Sequence, residues 1–154
     1  MAYFDVFNGD ADGICALLQL RQHTPRSATL VTGVKRDIGL LNRVAAASGD
    51  LVTVLDVAVE KNRSALDELL DIGAEVFYVD HHNSGELPTA PRLELLINTA
   101  PEVCTCALVN GHLSGAGASW AVVGCFGDNL DETAGRIAQT LPILPDLRLW
   151  RELG

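Results

Sequence analysis

At 154 residues, with 48% apolar and 20% charged side chains and few aromatics, the chain suits one globular domain with an aliphatic core and is not a disordered segment. Twenty acidic against eleven basic residues give a net charge of −9, which makes long nucleic acid a poor default partner and favours a small phosphorylated substrate or a short oligonucleotide. Cys15, Cys104, Cys106 and Cys125 are too few for a disulfide scaffold and read as reduced core thiols; with no leader signature in residues 1–7 and no apolar run near the ~20 residues of a membrane span, a soluble, cytoplasmic protein is expected.

Short apolar runs predict strands at residues 3–7, 28–34, 51–55 and 75–79, with a less apolar fifth at 93–97. Helix-period segments fall between them: 13–22 with Ile14, Leu17 and Leu18 on one face, 37–47 with Leu40, Leu41 and Val44, and 63–72 with Leu66, Leu69 and Leu70. Strands apolar on both faces and separated by single helices imply an α/β fold with a doubly wound, mainly parallel sheet of about five strands and helices on both faces. Gly73 falls where a helix C-cap belongs. From about Thr99 the alternation gives way to a helical C-terminal segment, with helices expected at 104–113, 118–126 and 131–139 and a last one starting at 146.

Three of the predicted strands run into aspartate: the first into Asn8-Gly9-Asp10-Ala11-Asp12-Gly13, the third into Asp56, the fourth into Asp80-His81-His82. Ligands of open α/β sheets bind beyond the carboxyl ends of the strands, so these side chains are expected to converge. Taken singly, Asp12 reads equally well as a helix N-cap and Asp80 as the start of a turn into Asn83-Ser84-Gly85. Together, carboxylates with one or two imidazoles at one sheet edge would repel one another without cations, and this oxygen and nitrogen mixture suits Mn²⁺, with Mg²⁺, Fe²⁺ or Co²⁺ as alternatives. Two such ions, roughly 3.5–4 Å apart, activate a bridging water for attack on a phosphoryl group, and Asp56 is the natural bridging ligand.

These residues resemble the motifs of the DHH phosphoesterase family, in its RecJ-like branch. Phe7–Gly13 is similar to the first motif, Val54-Leu55-Asp56-Val57-Ala58 to the second, Asp80-His81-His82 to the namesake triplet, and the run from Val122 to Asp128-Asn129 to the fourth. The resemblance implies a Mn²⁺-dependent hydrolase that cleaves a phosphodiester, phosphomonoester or phosphoanhydride of a small nucleotide-type substrate with a metal-activated water. It implies two metal ions: Asp10 on one, Asp12 on the other, Asp56 bridging, His81 and Asp128 completing the set. Asp80 then orients a ligand, and His82 faces the substrate phosphate and polarises it or protonates the leaving oxygen. Asn83, Lys35 and Arg36 are substrate-binding candidates, the last two as positive charge after the second strand. RecJ-like members carry an aspartate where this chain has Asn8, a neutral and weaker ligand.

By the same resemblance residues 1–154 form a catalytic domain: sheet core to 100, helical segment 101–140 with the fourth motif, and the start of a linker helix at 141–154. The smaller second domain usual in the family is expected to be absent. Other readings compete. A haloacid-dehalogenase-like phosphatase would use Asp10-Ala11-Asp12-Gly13 as its nucleophile loop, with Thr32 and Asp128 in support, but leaves Asp56 and His81-His82 unused. A receiver-type regulatory domain with Asp56 as phospho-acceptor leaves the triplet and the helical tail without a role, whereas Asn8 keeps open a non-catalytic metal-binding module that serves only as an interaction domain.

Overall fold

The computed structural model describes every residue except Lys35, so the positive charge expected from Lys35 lies outside the described residues. Strands β1 (Tyr3–Asn8), β2 (Thr29–Gly33), β3 (Leu51–Leu55), β4 (Glu75–Asp80) and β5 (Leu93–Ile97) form one sheet in the order β2-β1-β3-β4-β5. Every pairing is parallel. The helices are α1 (Ala11–His23), α2 (Val59–Asp71), α3 (Thr105–His112), α4 (Ala118–Gly127), α5 (Asp131–Ala138) and α6 (Leu147–Leu153). This is the α/β class that the alternating pattern predicts, with its helical C-terminal segment. None of the helices is long and apolar enough to cross a membrane, among the described residues.

Two compact units divide the chain. The first, Met1–Gly9 with Ser27–Thr99, holds the sheet and α2. Alternate residues of the central strands, Phe4 and Val6, Val52 and Val54, Val76 and Tyr78, are buried in a cluster with Ala65, Leu66 and Leu69 of α2. Helix α2 presents Val59, Asn62, Ala65, Leu66 and Leu69 inward at helical spacing, and each fully buried aliphatic side chain there contributes about 1.5–3 kcal/mol. Gly73 ends the helix at φ 90°, with Ala74 N–H bonded to the Leu69 carbonyl and Gly73 N–H to that of Leu70, the left-handed cap expected of it.

The helix expected at 37–47 does not form: only a 3₁₀ turn, Leu40–Arg43, is present. The apolar spacing correctly marks Leu40 and Leu41 as core, yet other bonds claim the backbone. Buried Asn62 accepts from Leu41 N–H at 3.2 Å and donates to the Ile38 carbonyl at 2.7 Å, while the Asn42 amide turns back onto the Gly39 carbonyl. Side chains that take backbone groups in this way, Asn42 from nearby and Asn62 from α2, compete with a helical ladder. A second irregularity is that β4 and β5 are joined without a helix, by residues 81–92 alone. That length is near the minimum for a parallel crossover.

Asp50 accepts N–H bonds from Ala2 at 2.6 Å and Ala47 at 2.9 Å, fastening the start of β1 to the turn before β3. These bonds, the one from Ala2 foremost, hold its carboxyl below the ordinary carboxylate value. A depressed folded-state pKa contributes stability that is present above the unfolded value and lost as pH falls towards the folded one. Asp50→Asn is therefore expected to lower the melting temperature at neutral pH and to lessen its decline below about pH 4, read by thermal melts across pH.

The second unit, Asp10–Arg26 with Ala100–Gly154, is wholly helical and joins α1 to α3–α6. Its centre is α4, apolar on nearly every side, with Ala121, Val122, Val123, Cys125 and Phe126 buried. A Cβ on Gly124 would stand 2.2 Å from Cys106 Sγ, and one on Gly127 would stand 2.6 Å from Ala11 Cβ, so glycine sets the approach of α4 to both α3 and α1. Arg151 of α6 pairs with Asp131 and lies over the Phe126 ring.

Candidate functional site

In a sheet of order β2-β1-β3-β4-β5 the chain winds in opposite directions from the β1–β3 junction, and the crevice beyond their carboxyl ends is where such sheets take ligands. Asn8 ends β1 and Asp56 follows β3. The Asn8 amide donates to Asp56 Oδ2 at 3.1 Å, directly across this junction. Gly9 then passes so near β2 that its N–H reaches the Gly33 carbonyl at 3.0 Å, and an added Cβ would lie 2.5 Å from that oxygen.

Asp56 adopts φ 58°, the left-handed region, although it carries a side chain. Such a conformation costs of order 1–2 kcal/mol and persists only where neighbours fix it. Here Asp56 N–H bonds the Val79 carbonyl at 3.0 Å, and the buried Tyr78 hydroxyl donates to the Val57 carbonyl at 2.6 Å. Tyr78 thus clamps the residue after Asp56, and burial pushes its phenol well above the ordinary value. In the sequence Tyr78 counts only as part of the apolar run at 75–79; a polar-tipped aromatic within such a run is the signal that points to a partner.

The triplet arrives from β4. Asp80 is fully buried, and its Oδ1 accepts from His82 Nδ1 at 2.7 Å, which leaves His82 Nε2 as the outward nitrogen. Oδ2 of Asp80 is buried with no hydrogen-bond partner among the described residues. His81 Nε2 lies 3.3 Å from Asp56 Oδ1, and His82 Nδ1 lies 3.9 Å from the same oxygen. Carboxylate oxygen of Asp56 and ring nitrogens of His81 and His82 fall within 4.8 Å of one another. The hydrogen bond to Asp80 raises the His82 pKa against the opposing effect of burial. Burial alone would push the Asp56 carboxyl up; the bonds from His81 and Asn8 and the nearby His82 outweigh it and bring it below the ordinary value. Asn83 follows exposed, and Arg36 is exposed in the turn after β2.

The helical unit carries the other predicted acids. Asp10 is the N-cap of α1 and accepts from Gly13 N–H at 3.2 Å. Asp12 is buried, with Oδ2 accepting Thr105 N–H at 2.8 Å and Oδ1 accepting Cys106 N–H at 2.7 Å. Cys104, the N-cap residue of α3, makes no side-chain cap bond, so Asp12 supplies from α1 what that helix start lacks locally. Asp12 is thus a cap, though of α3 and not of its own helix. Asp128 is the C-cap of α4; Asn129 follows at φ 58°, Leu130 N–H bonds the Cys125 carbonyl at 2.8 Å, and Asn129 N–H bonds that of Phe126 at 3.0 Å. Gly127-Asp128-Asn129 is therefore a left-handed helix stop.

No protein-family model matches the sequence, and no curated protein matches it. Among solved structures, the chain is similar to the crystal structure of exonuclease RecJ bound to manganese, with a TM-score of 0.52 and 21% sequence identity over 99% of this chain and 42% of that one. It spans less than half the length of that nuclease. What the two share is the fold, and in its backbone course this chain is RecJ-like.

Proposed function

We propose that the chain is a DHH-type, RecJ-like phosphoesterase domain that hydrolyses a phosphate ester with Mn²⁺, on a small nucleotide-type substrate or a short oligonucleotide. The observation that carries this reading is the convergence of Asp56, His81 and His82 at the β1–β3 switch point, on a carboxylate held in a strained backbone conformation. The donors fit a cation: the Asp56 carboxylate and the His81 imidazole lie 3.3 Å apart with His82 in the same cluster, and a buried Asp80 oxygen has no hydrogen-bond partner among the described residues. Asp56 and His81 are the ligands proposed from this geometry; the sequence motifs add Asp10, Asp12 and Asp128, and with them a second ion. Such ions supply Lewis-acid polarisation of a phosphoryl oxygen and a water acidic enough to lose its proton near neutral pH.

The chain's own residues do the rest. Asn8 and His81 orient the Asp56 carboxylate from either oxygen. Asp80 fixes the ring of His82 and raises its pKa, so His82 holds a proton on Nε2 for the leaving oxygen. Asn83 and Arg36, both exposed, are proposed to meet the phosphate. Short oligonucleotides, a cyclic dinucleotide and a nucleoside bisphosphate, assayed with Mn²⁺ and then with a chelator, test the reading, alongside calorimetric titration of Mn²⁺. Hydrolysis of at least one phosphoester that chelation abolishes is expected. Turnover indifferent to chelation, or no uptake of Mn²⁺, would overturn it, and a phosphoryl group trapped on Asp10 would favour the dehalogenase-like route.

A further inference from the structure

All four cysteines belong to the helical unit and all are buried: Cys15 on α1, Cys104 just before α3, Cys106 within α3 and Cys125 on α4. They are not equivalent. Cys106 is engaged, its Sγ donating to the Asp12 backbone carbonyl at 3.0 Å and lying against the place where Gly124 lacks a Cβ. Cys104 and Cys125 instead face each other, Sγ to Sγ at 3.4 Å, across the contact between the start of α3 and the later turns of α4. Bond formation needs a closure of about 1.4 Å between the two sulfurs. Cys104 is suited to supply it, because it sits outside the helix proper in extended backbone, φ −124° and ψ 170°.

We propose that Cys104 and Cys125 are an oxidisable dithiol, closed to a disulfide by peroxide, which staples α3 to α4. One thiol sulfur attacks a peroxide oxygen, giving a sulfenic acid and one water. The second sulfur attacks the first and expels another water. Two thiols and one hydrogen peroxide become one disulfide and two waters, with the thiols giving up two electrons. Neither thiol is exposed, so oxidation proceeds through transient opening of the α3 start and is slow. The staple closes a loop whose ends are 21 positions apart and so restrains the unfolded chain. It also fixes the helix start whose Thr105 and Cys106 amides hold Asp12. None of this depends on the site being a metal centre.

The test uses the full chain, reduced and then exposed to hydrogen peroxide for graded times. Alkylation under denaturing conditions is expected to show accessible thiols falling from four to two. Because no Lys or Arg separates Cys104 from Cys125, chymotryptic cleavage at Trp120 is used to release them as two peptides joined by a disulfide. The melting temperature is expected to rise by several degrees on oxidation and to return with reductant. Cys125→Ala should abolish the linked peptide and the rise, and if that variant does not fold the wild-type peptide map still decides. Four thiols surviving the treatment, a bridge between Cys15 and Cys106, or oxidation that stops at sulfinic acid would each overturn the proposal.

Discussion

Asp56→Asn is expected to lower Mn²⁺-dependent hydrolysis by a hundredfold or more while moving the melting temperature by only a few degrees. The substitution removes one charge and almost no volume. Asparagine tolerates the left-handed backbone that Asp56 adopts at φ 58°, so the turn clamped by Tyr78 survives. What is lost is the anionic oxygen near His81 and His82. Loss of a group that merely orients a ligand typically costs about 10–100-fold in metal affinity or activity, and loss of the ligand should cost at least that. Initial rates over a Mn²⁺ titration, with a thermal melt of the same sample, separate the two effects. Rates within tenfold of the parent at saturating Mn²⁺ would remove Asp56 from the mechanism, and with it the main support for a metal centre.

The largest effect on folding is expected at Gly124. Gly124→Ala puts a methyl 2.2 Å from Cys106 Sγ and 2.8 Å from Cys106 Cβ, distances that only movement of α3 against α4 relieves. Overpacking of this kind costs about 1–3 kcal/mol, which for a chain of this size is a fall of about 3–10 °C in melting temperature. The same methyl lies 3.3 Å from Asp12 Oδ1, so the Asp12 bonds to the α3 amides should loosen with it. Cys106→Ala in the same molecule removes the nearer of the two clashing atoms, Sγ, and leaves Cβ. The double variant should melt above the Gly124→Ala single, and a melt no higher would mean that the two sites do not interact as the packing indicates.

Sequence periodicity locates all five strands: the central β1, β3 and β4 are continuous apolar runs because both their faces are largely buried, while the edge strands β2 and β5 are mostly exposed or half-buried and carry the pattern less fully. It fails at residues 37–47 for a reason invisible in one segment: Asn62, far along the chain, takes the Leu41 N–H and the Ile38 carbonyl. Strand-end placement makes Asp56, His81 and His82 legible as a group, since the carboxyl edge of a parallel sheet is implied by strand order alone. The same reasoning does not reach Tyr78, whose part is played by a hydroxyl on a residue that also packs as core. Nor does it separate the two things a short acidic motif can do. Gly127-Asp128-Asn129 satisfies the geometry of a helix stop, and Asp12 that of a remote cap, whether or not either holds a metal.

The helix-free crossover from β4 to β5 has a practical side. Its first two residues are His81 and His82, and a little further on it is fastened again, with Ser84 buried and the Glu86 carbonyl receiving Arg63 Nη1 at 3.1 Å. Beyond that anchor the backbone runs through Leu87 to Ala90 in open, non-repetitive conformation before β5 begins. Because β5 starts at the amino edge of the parallel sheet, that stretch leads away from the imidazoles at the carboxyl edge, and an inserted tag or reporter meant to leave the site undisturbed belongs there. Residues can be exchanged or inserted there without drawing on the ladder of either strand or on the fastening that keeps the two imidazoles in place.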